Sequence, residues 1–232
     1  MFRLFFLAAI LVLASERVNA QKLPPNAVKY LPVLQQEKDR FWSDHPRPST
    51  LGAQVEQETC IRLTHSKCWS PAAELKTSRE HGVGLGQITR AFFPSGKTRF
   101  DALADLRRAF PEELADFNWD TNLYDPRLQL RALVLKDLQG YRLVQEAASD
   151  DDALAFAYAA YNGGFGGLNS DRRACAATRG CDPSRWFGHV EHTSLKAKKS
   201  VDGYKKSFFE INREYVNNIM HVRRPRYDGQ LK

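Results

Sequence analysis

The chain has 232 residues, of which 43% are hydrophobic, 26% charged and 11% aromatic, and 34 Lys and Arg against 27 Asp and Glu give a formal charge of +7. These proportions belong to ordinary globular proteins and exclude a disordered chain, a collagen-like repeat and a polytopic membrane protein. The 14 Gly and 11 Pro are spread along the chain with no repeat at a solenoid or propeller period, so one compact domain is expected.

Arg3 precedes an unbroken apolar run from Leu4 to Ala14, which ends before Ser15, Glu16 and Arg17. That run is too short to span a bilayer. Val18-Asn19-Ala20 supplies the small residues that precede a cleavage site, so residues 1–20 read as a signal peptide cut before Gln21. The mature chain is expected to be exported to the periplasm or cell envelope, without a stable membrane anchor. Export also argues against a nucleic acid partner. The remaining positive charge gathers at Lys196, Lys198, Lys199, Lys205 and Lys206 and again at Arg223, Arg224 and Arg226. Such clusters fit either a solvated face or a patch for an anionic polymer.

Residues 21–48 read as a Pro-punctuated arm with one helical stretch, about Tyr30 to Trp42. Ser49 or Thr50 then caps a helix to about Leu63 that sets Leu51, Val55 and Glu58 on one face. A carboxyl on an apolar face is the first chemical signal, because desolvation raises its pKa and keeps the proton a general acid must donate. Residues 64–89 carry Trp69, Pro71, Gly82, Gly84 and Gly86 and read as a loop or small hairpin.

A helix resumes near Arg99, with Phe100, Leu103, Leu106 and Phe110 at the helical period, and Asp125-Pro126 starts a buried helix running through Leu138. An Ala-rich helix from Asp150–Asp152 stops at Gly163-Gly164, and a last helix, about Tyr204 to His221, aligns Phe208, Ile211, Tyr215, Ile219 and Val222. The pattern is mainly α with a minor β element. Residues 223–232 are expected as a basic C-terminal tail. His189-Val190-Glu191-His192 departs from the His-Glu-x-x-His metal motif and reads as a surface loop, so no metal or cofactor is called for.

The mature chain has four cysteines, Cys60, Cys68, Cys175 and Cys181, an even count that suits disulfides in an oxidising compartment. Three pairings are possible. Proximity in sequence favours Cys60 with Cys68 and Cys175 with Cys181, over a zinc site whose ligand spacing is usually shorter.

Several segments occur in the order of the motifs of the soluble lytic transglycosylase domain. Gln57-Glu58-Thr59 resembles that family's Glu-Ser segment, and Gly84-Leu85-Gly86-Gln87-Ile88-Thr89 its Gly-Leu-Met-Gln segment. Ala160-Tyr161-Asn162-Gly163-Gly164 is similar to its Ala-Tyr-Asn-Ala-Gly segment, and Tyr215-Val216 to its final Tyr-Val. Gly86 stands in place of Met and Gly163 in place of Ala. Glu210 lies one residue before the family's glutamate, where this chain has Ile211.

The resemblance implies a lysozyme-like domain over residues 49–222, belonging to the goose-type lysozyme superfamily and cleaving peptidoglycan glycan strands. It implies Glu58 as the acid and base that cleaves the bond between N-acetylmuramic acid and N-acetylglucosamine and leaves 1,6-anhydro ends. Gln87, Thr89, Tyr161, Asn162 and Gly84 would bind the sugar, with Glu210, Tyr215 and Trp69 as secondary candidates and Trp69 as a stacking platform. Glu80, with Glu74 nearby, would supply a second carboxylate in the alternative of a hydrolytic muramidase. A noncatalytic wall-binding scaffold is the remaining alternative. A monomer is expected, and a small enzyme without an evident wall-anchoring module suggests delivery by an envelope-spanning secretion or conjugation complex.

Overall fold

Asp125 and Pro126 start the helix around which the others pack. The computed structural model describes residues 22–144, 146–195 and 205–232. The expected signal peptide, Lys196, Lys198, Lys199 and Tyr204 lie outside the described residues. The central helix, called α4 by chain order, runs Pro126–Leu143, with the Asp125 carboxylate accepting from Arg127 N and Leu128 N. The proline occupies the first turn, where its missing N–H leaves no helical bond unmade.

Helix α4 serves two cores. Leu130, Leu133, Val134 and Leu138 join the larger one, while Ala132 and Leu135 join a smaller one beneath the sheet with Val83, Ile88, Leu103 and Leu106. A helix apolar around most of its circumference is expected to be enclosed on all sides.

Helix α1, Ala27–Phe41, packs on α4 and buries Leu31 and Leu34. Its Glu37 is buried between Arg127 and Arg131, at 2.7 and 2.8 Å. A carboxylate in that setting must be paired, and the pairing fixes α1 to α4. The N-terminal arm thus contributes this helix to the main core.

Helix α2, Ser49–Thr59, is buried along Ser49–Glu56 and ends before Cys60, short of the expected Leu63. Ser49 opens the helix rather than capping it, as Pro48 holds the N-cap position. Helix α3, Ala102–Ala109, is capped by Asp101, whose carboxylate accepts from Ala104 N. Phe100, expected in that helix, belongs instead to the preceding strand.

Helix α5, Asp150–Gly163, is capped by Ser149, and its alanine face packs against α4. Helix α6, Phe165–Ala176, was not anticipated, because its polar, glycine-containing sequence lacks a clear apolar stripe. Helix α7, Phe208–Asn217, gives way to a π turn over Asn218–Arg223. Its buried side is Asn212, Tyr215, Val216, Ile219 and Met220, whereas Phe208 and Val222 are exposed. The expected stripe was rotated because polar Asn212 points inward, where its amide donates to Ala159 O.

The β element exceeds a hairpin. Strands β1 Glu74–Lys76, β2 Glu80–Val83, β3 Ile88–Phe92 and β4 Thr98–Asp101 form one antiparallel sheet in sequential order. Cys60 is bonded to Cys68 and Cys175 to Cys181. Among the described residues, no helix is long and apolar enough to cross a membrane.

Residues 223–232 also differ from the expected basic tail. Arg223 and Arg226 pair with buried Glu56 at 2.7 and 3.1 Å, and the buried Tyr227 hydroxyl donates to the same carboxylate at 2.7 Å. The charges are spent on an interior acid. Tyr227→Ala removes both the ring and the bond, and is expected to cost about 3–5 kcal/mol in equilibrium urea unfolding.

Candidate active site

Glu58 stands on the last turn of α2, at the floor of a cleft of about 730 Å³ between the sheet and the helices α4 and α5. The helix end is fixed from behind. Gln57 accepts from Arg223 Nε at 2.8 Å and from Asn218 Nδ2 at 3.1 Å, both on the π turn. Thr59 Oγ1 donates to Val55 O and accepts from Trp69 N, and the Cys60–Cys68 disulfide joins the same two segments.

One face of the sheet forms the opposite wall. Register pairs Leu75 with Gly82, Gly82 with Thr89, Glu80 with Ala91 and Ala91 with Phe100, and all six residues line the cleft. Alternation along each strand sends their neighbours His81 and Arg90 to the other face. Leu75 and Phe100 remain 45% exposed and give this wall an apolar surface.

Three groups surround the Glu58 carboxyl. Burial pushes its pKa up to about 7, against the lowering effects of the Tyr215 hydroxyl, which donates to Glu58 Oε1, and of the Lys136 ammonium. Lys136 extends from α4 with Nζ 3.5 Å from the Tyr161 ring centroid and donates to Tyr161 O at 3.3 Å. Burial brings its own pKa down to about 8, while Glu58 and Asp137 act to raise it. The rings of Tyr161 and Tyr215 lie nearly parallel, 13° apart with centroids separated by 6.4 Å. An acid that holds a proton near neutrality, with a hydroxyl and an ammonium to stabilise its conjugate base, is equipped for general acid–base chemistry.

The cleft brings together Glu58, Glu80, Gln87, Thr89, Tyr161 and Asn162. Several of these side chains are already engaged. Gln87 adopts a φ of 43° and donates through Nε2 to Ala73 O and Gly84 O, which stabilises its left-handed backbone. Thr89 Oγ1 donates to Gln87 O, and Asn162 Oδ1 accepts from Asn212 Nδ2. Tyr161 donates to Gly86 O at 2.5 Å, so its hydroxyl proton holds the loop and its oxygen can only accept from a ligand. A side chain at Gly86 would meet that hydroxyl at 2.9 Å, which accounts for glycine here.

Gly84 is not part of the cleft lining. With φ at 79° and Gln129 only 2.1 Å from where a Cβ would stand, it is required by the packing beneath the loop. The Gln129 side chain accepts from Leu85 N and donates to Pro71 O and Leu123 O.

Two secondary candidates lie elsewhere. Trp69 is fully buried with Nε1 donating to the Tyr227 hydroxyl, so it is a core residue and offers no sugar platform. Glu210 completes a capping box with Ser207 at the start of α7, whose backbone and hydroxyl bonds hold its carboxyl below the usual range. The Ser-x-x-Glu spacing in Ser207-Phe208-Phe209-Glu210 is the sequence signature of that cap. Tyr215, by contrast, touches Glu58 directly. Glu74, on β1, binds His81 at 2.5 Å.

Lys136, Asp137 and Gln54 were not singled out from the sequence. The signal was present in Leu133-Val134-Leu135-Lys136-Asp137-Leu138, where two charges interrupt an apolar run. Among the described residues, no cluster of three or more His, Cys, Asp and Glu groups is placed to hold a metal ion.

No family model matches the chain, and no curated protein is significantly similar to it. Lys136→Met removes the positive charge that favours ionised Glu58, so the Glu58 midpoint is expected to rise, by roughly a pH unit. Carbon-13 NMR titration of the glutamate carboxyls, with Glu58→Gln to assign the signal, measures that shift.

Proposed function

We propose that this protein is an exported peptidoglycan lytic transglycosylase with a lysozyme-like domain and Glu58 as its single acid and base. The observation that carries the reading is the state of Glu58, a carboxyl raised to about 7 at the floor of a cleft, with the Tyr215 hydroxyl on one oxygen. The ordered motif resemblance supports the same choice. The cleft volume suits a bound oligosaccharide segment, and the apolar wall of Leu75 and Phe100 suits the hydrophobic face of a pyranose ring.

Cleavage of the glycosidic bond needs a proton on the leaving oxygen and stabilisation of positive charge at the anomeric carbon. Glu58 gives its proton to the oxygen of N-acetylglucosamine as the bond to the muramic acid carbon breaks. The muramic acid's own N-acetyl carbonyl supports that carbon. Glu58, now a carboxylate beside Tyr215 and Lys136, takes the O6 proton of the same sugar, and O6 closes on the anomeric carbon to form the 1,6-anhydro ring. The carboxyl ends protonated, ready for another turnover.

Glu80 gives a second reading a specific basis, because it faces the same cleft from β2. If its carboxylate directs water to the anomeric carbon, the product is a reducing end. A noncatalytic scaffold for an envelope-spanning complex would release neither product.

Mass spectrometry of fragments released from purified peptidoglycan separates these readings. Anhydro ends are expected from the wild type, and Glu58→Gln should lower turnover by about 10²- to 10⁴-fold while retaining the fold. Reducing ends that disappear in Glu80→Gln would instead assign hydrolysis, and glycan binding without products would assign a scaffold. Because the active donor is protonated, kcat/KM should fall about tenfold per pH unit once the pH passes about 7.

A further inference from the structure

Behind Glu58 and Tyr215 lie two buried polar groups, Gln54 and Asp137, that the reaction just described does not use. Asp137 of α4 is 1% exposed and sits between apolar Leu135 and Leu138 in sequence. Its Oδ1 accepts from Gln54 Nε2 at 3.2 Å, and the same nitrogen lies 3.2 Å from the Tyr215 hydroxyl. Tyr215 in turn donates to Glu58 Oε1. Three helices thus contribute to one line of groups, with Asp137 on α4, Gln54 and Glu58 on α2 and Tyr215 on α7.

The partners missing from this line are as informative as those present. Asp137 Oδ2 and Gln54 Oε1 are both buried without a hydrogen-bond partner. Burying a carboxyl with one of its two oxygens unpaired, and an amide whose only oxygen is unpaired, costs stability. The bonds that are made all lead towards Glu58.

Hydrogen-bond direction gives the line its meaning. An amide nitrogen carries two protons and a phenol carries one. Asp137 Oδ1, as an oxygen that carries no proton, accepts from the Gln54 nitrogen and so holds that nitrogen on the side facing Tyr215. That nitrogen donates to the Tyr215 oxygen, and the single phenolic proton is directed onto Glu58 Oε1. Glu58 must then carry its acidic proton on Oε2. Were the Gln54 amide reversed, its oxygen would attract the Tyr215 proton and leave Glu58 Oε1 without a donor.

We infer that Asp137 is a positioning residue, which acts through Gln54 and Tyr215 to fix which Glu58 oxygen holds the transferable proton. Its effect on turnover rests on Glu58 being the proton donor proposed above, but its effect on Glu58 itself does not. The ionisable groups facing this centre are Lys136 and Asp137 from α4, Tyr158 and Tyr161 from α5 and Tyr215 from α7, with Glu80 across the cleft on β2. Burial raises the Asp137 carboxyl well above the usual carboxylate range.

The charge and positioning explanations have opposite signs. Replacing Asp137 by Leu deletes an acid, and any loss of negative charge would lower the Glu58 midpoint. Releasing Gln54 removes the enforced Tyr215 donor, which lowers the Glu58 pKa in the wild type, and the midpoint should rise.

The test is carbon-13 titration of Glu58 in the free full-length protein, together with kcat and KM on peptidoglycan. Asp137→Leu is expected to raise the midpoint by about half a pH unit or more and to lower kcat by about tenfold with little change in KM. It should lower the melting temperature by a few degrees while the protein still melts cooperatively, because the buried Gln54 amide loses its acceptor. Asp137→Asn, whose carbonyl can still accept from Gln54, should retain the wild-type midpoint and most of the turnover. If Asp137→Leu does not melt cooperatively, the double variant Gln54→Leu with Asp137→Leu carries the same expectation. An unchanged or lowered midpoint in a folded Leu variant overturns the inference. A raised midpoint in a protein that cleaves no glycan upholds the positioning of Glu58 and overturns only the proposed activity.

Discussion

The burial of helix α2 is the constraint from which much of the remaining arrangement follows. Ser49–Glu56 has no exposed residue, yet it includes Gln54 and Glu56, and it is followed by Gln57 against the π turn and Glu58 at the cleft. Polar groups withdrawn from water need partners. Glu56 takes Arg223, Arg226 and Tyr227 from the C-terminal segment, and Gln57 takes Asn218 and Arg223 from the π turn. Satisfying one buried helix therefore draws in the end of the chain, and α7 arrives with Tyr215 against Glu58. The site is a consequence of that packing, since the same contacts that settle α2 bring the phenol to the acid.

The facing wall follows a different rule. A four-stranded sheet alternates its side chains, giving the cleft Leu75, Gly82, Thr89, Ala91 and Phe100 and leaving His81 and Arg90 outside. The loop between β2 and β3 then has to pass close to α4 and α5. Gly84 admits Gln129 below it, and Gly86 admits the Tyr161 hydroxyl. Gln87 braces the turn with its amide nitrogen. Side chains that resemble substrate-binding residues in sequence thus spend part of their hydrogen-bonding capacity on the protein, which pre-orders the loop before any ligand enters.

The electrostatics of the floor balance desolvation against attraction. Burial alone would favour a neutral Glu58 and a neutral Lys136, while each charge favours the other. Their midpoints near 7 and 8 put the proton within reach of both addition and removal at neutral pH. Lys136 also rests against the Tyr161 ring, whose electron-rich face suits a cation. The carboxyl, the ammonium and the two tyrosines therefore sit in mutual contact or electrostatic reach.

Local rules in the sequence determined the helix begun by Asp125-Pro126, the Ala-rich helix ended by glycine, the two short disulfide loops and the placement of Glu58 on an inward helix face. Each depends on residues close together in the chain. The fate of the polar residues was decided only by tertiary structure. Arg223 and Arg226 read as part of a basic tail because nothing nearby shows that Glu56, far earlier in sequence, lies buried and needs them. Trp69 read as a stacking platform for the same reason, its indole partner being Tyr227. Glu210 was open to a local reading, and its capping spacing competed with a distant resemblance. Lys136 and Asp137 acquire their roles from helices α2, α5 and α7, which reach them only when the apolar surface of α4 is enclosed. Periodicity records which side of a helix avoids water, whereas a buried charge or amide takes its function from the partner that folding brings to it.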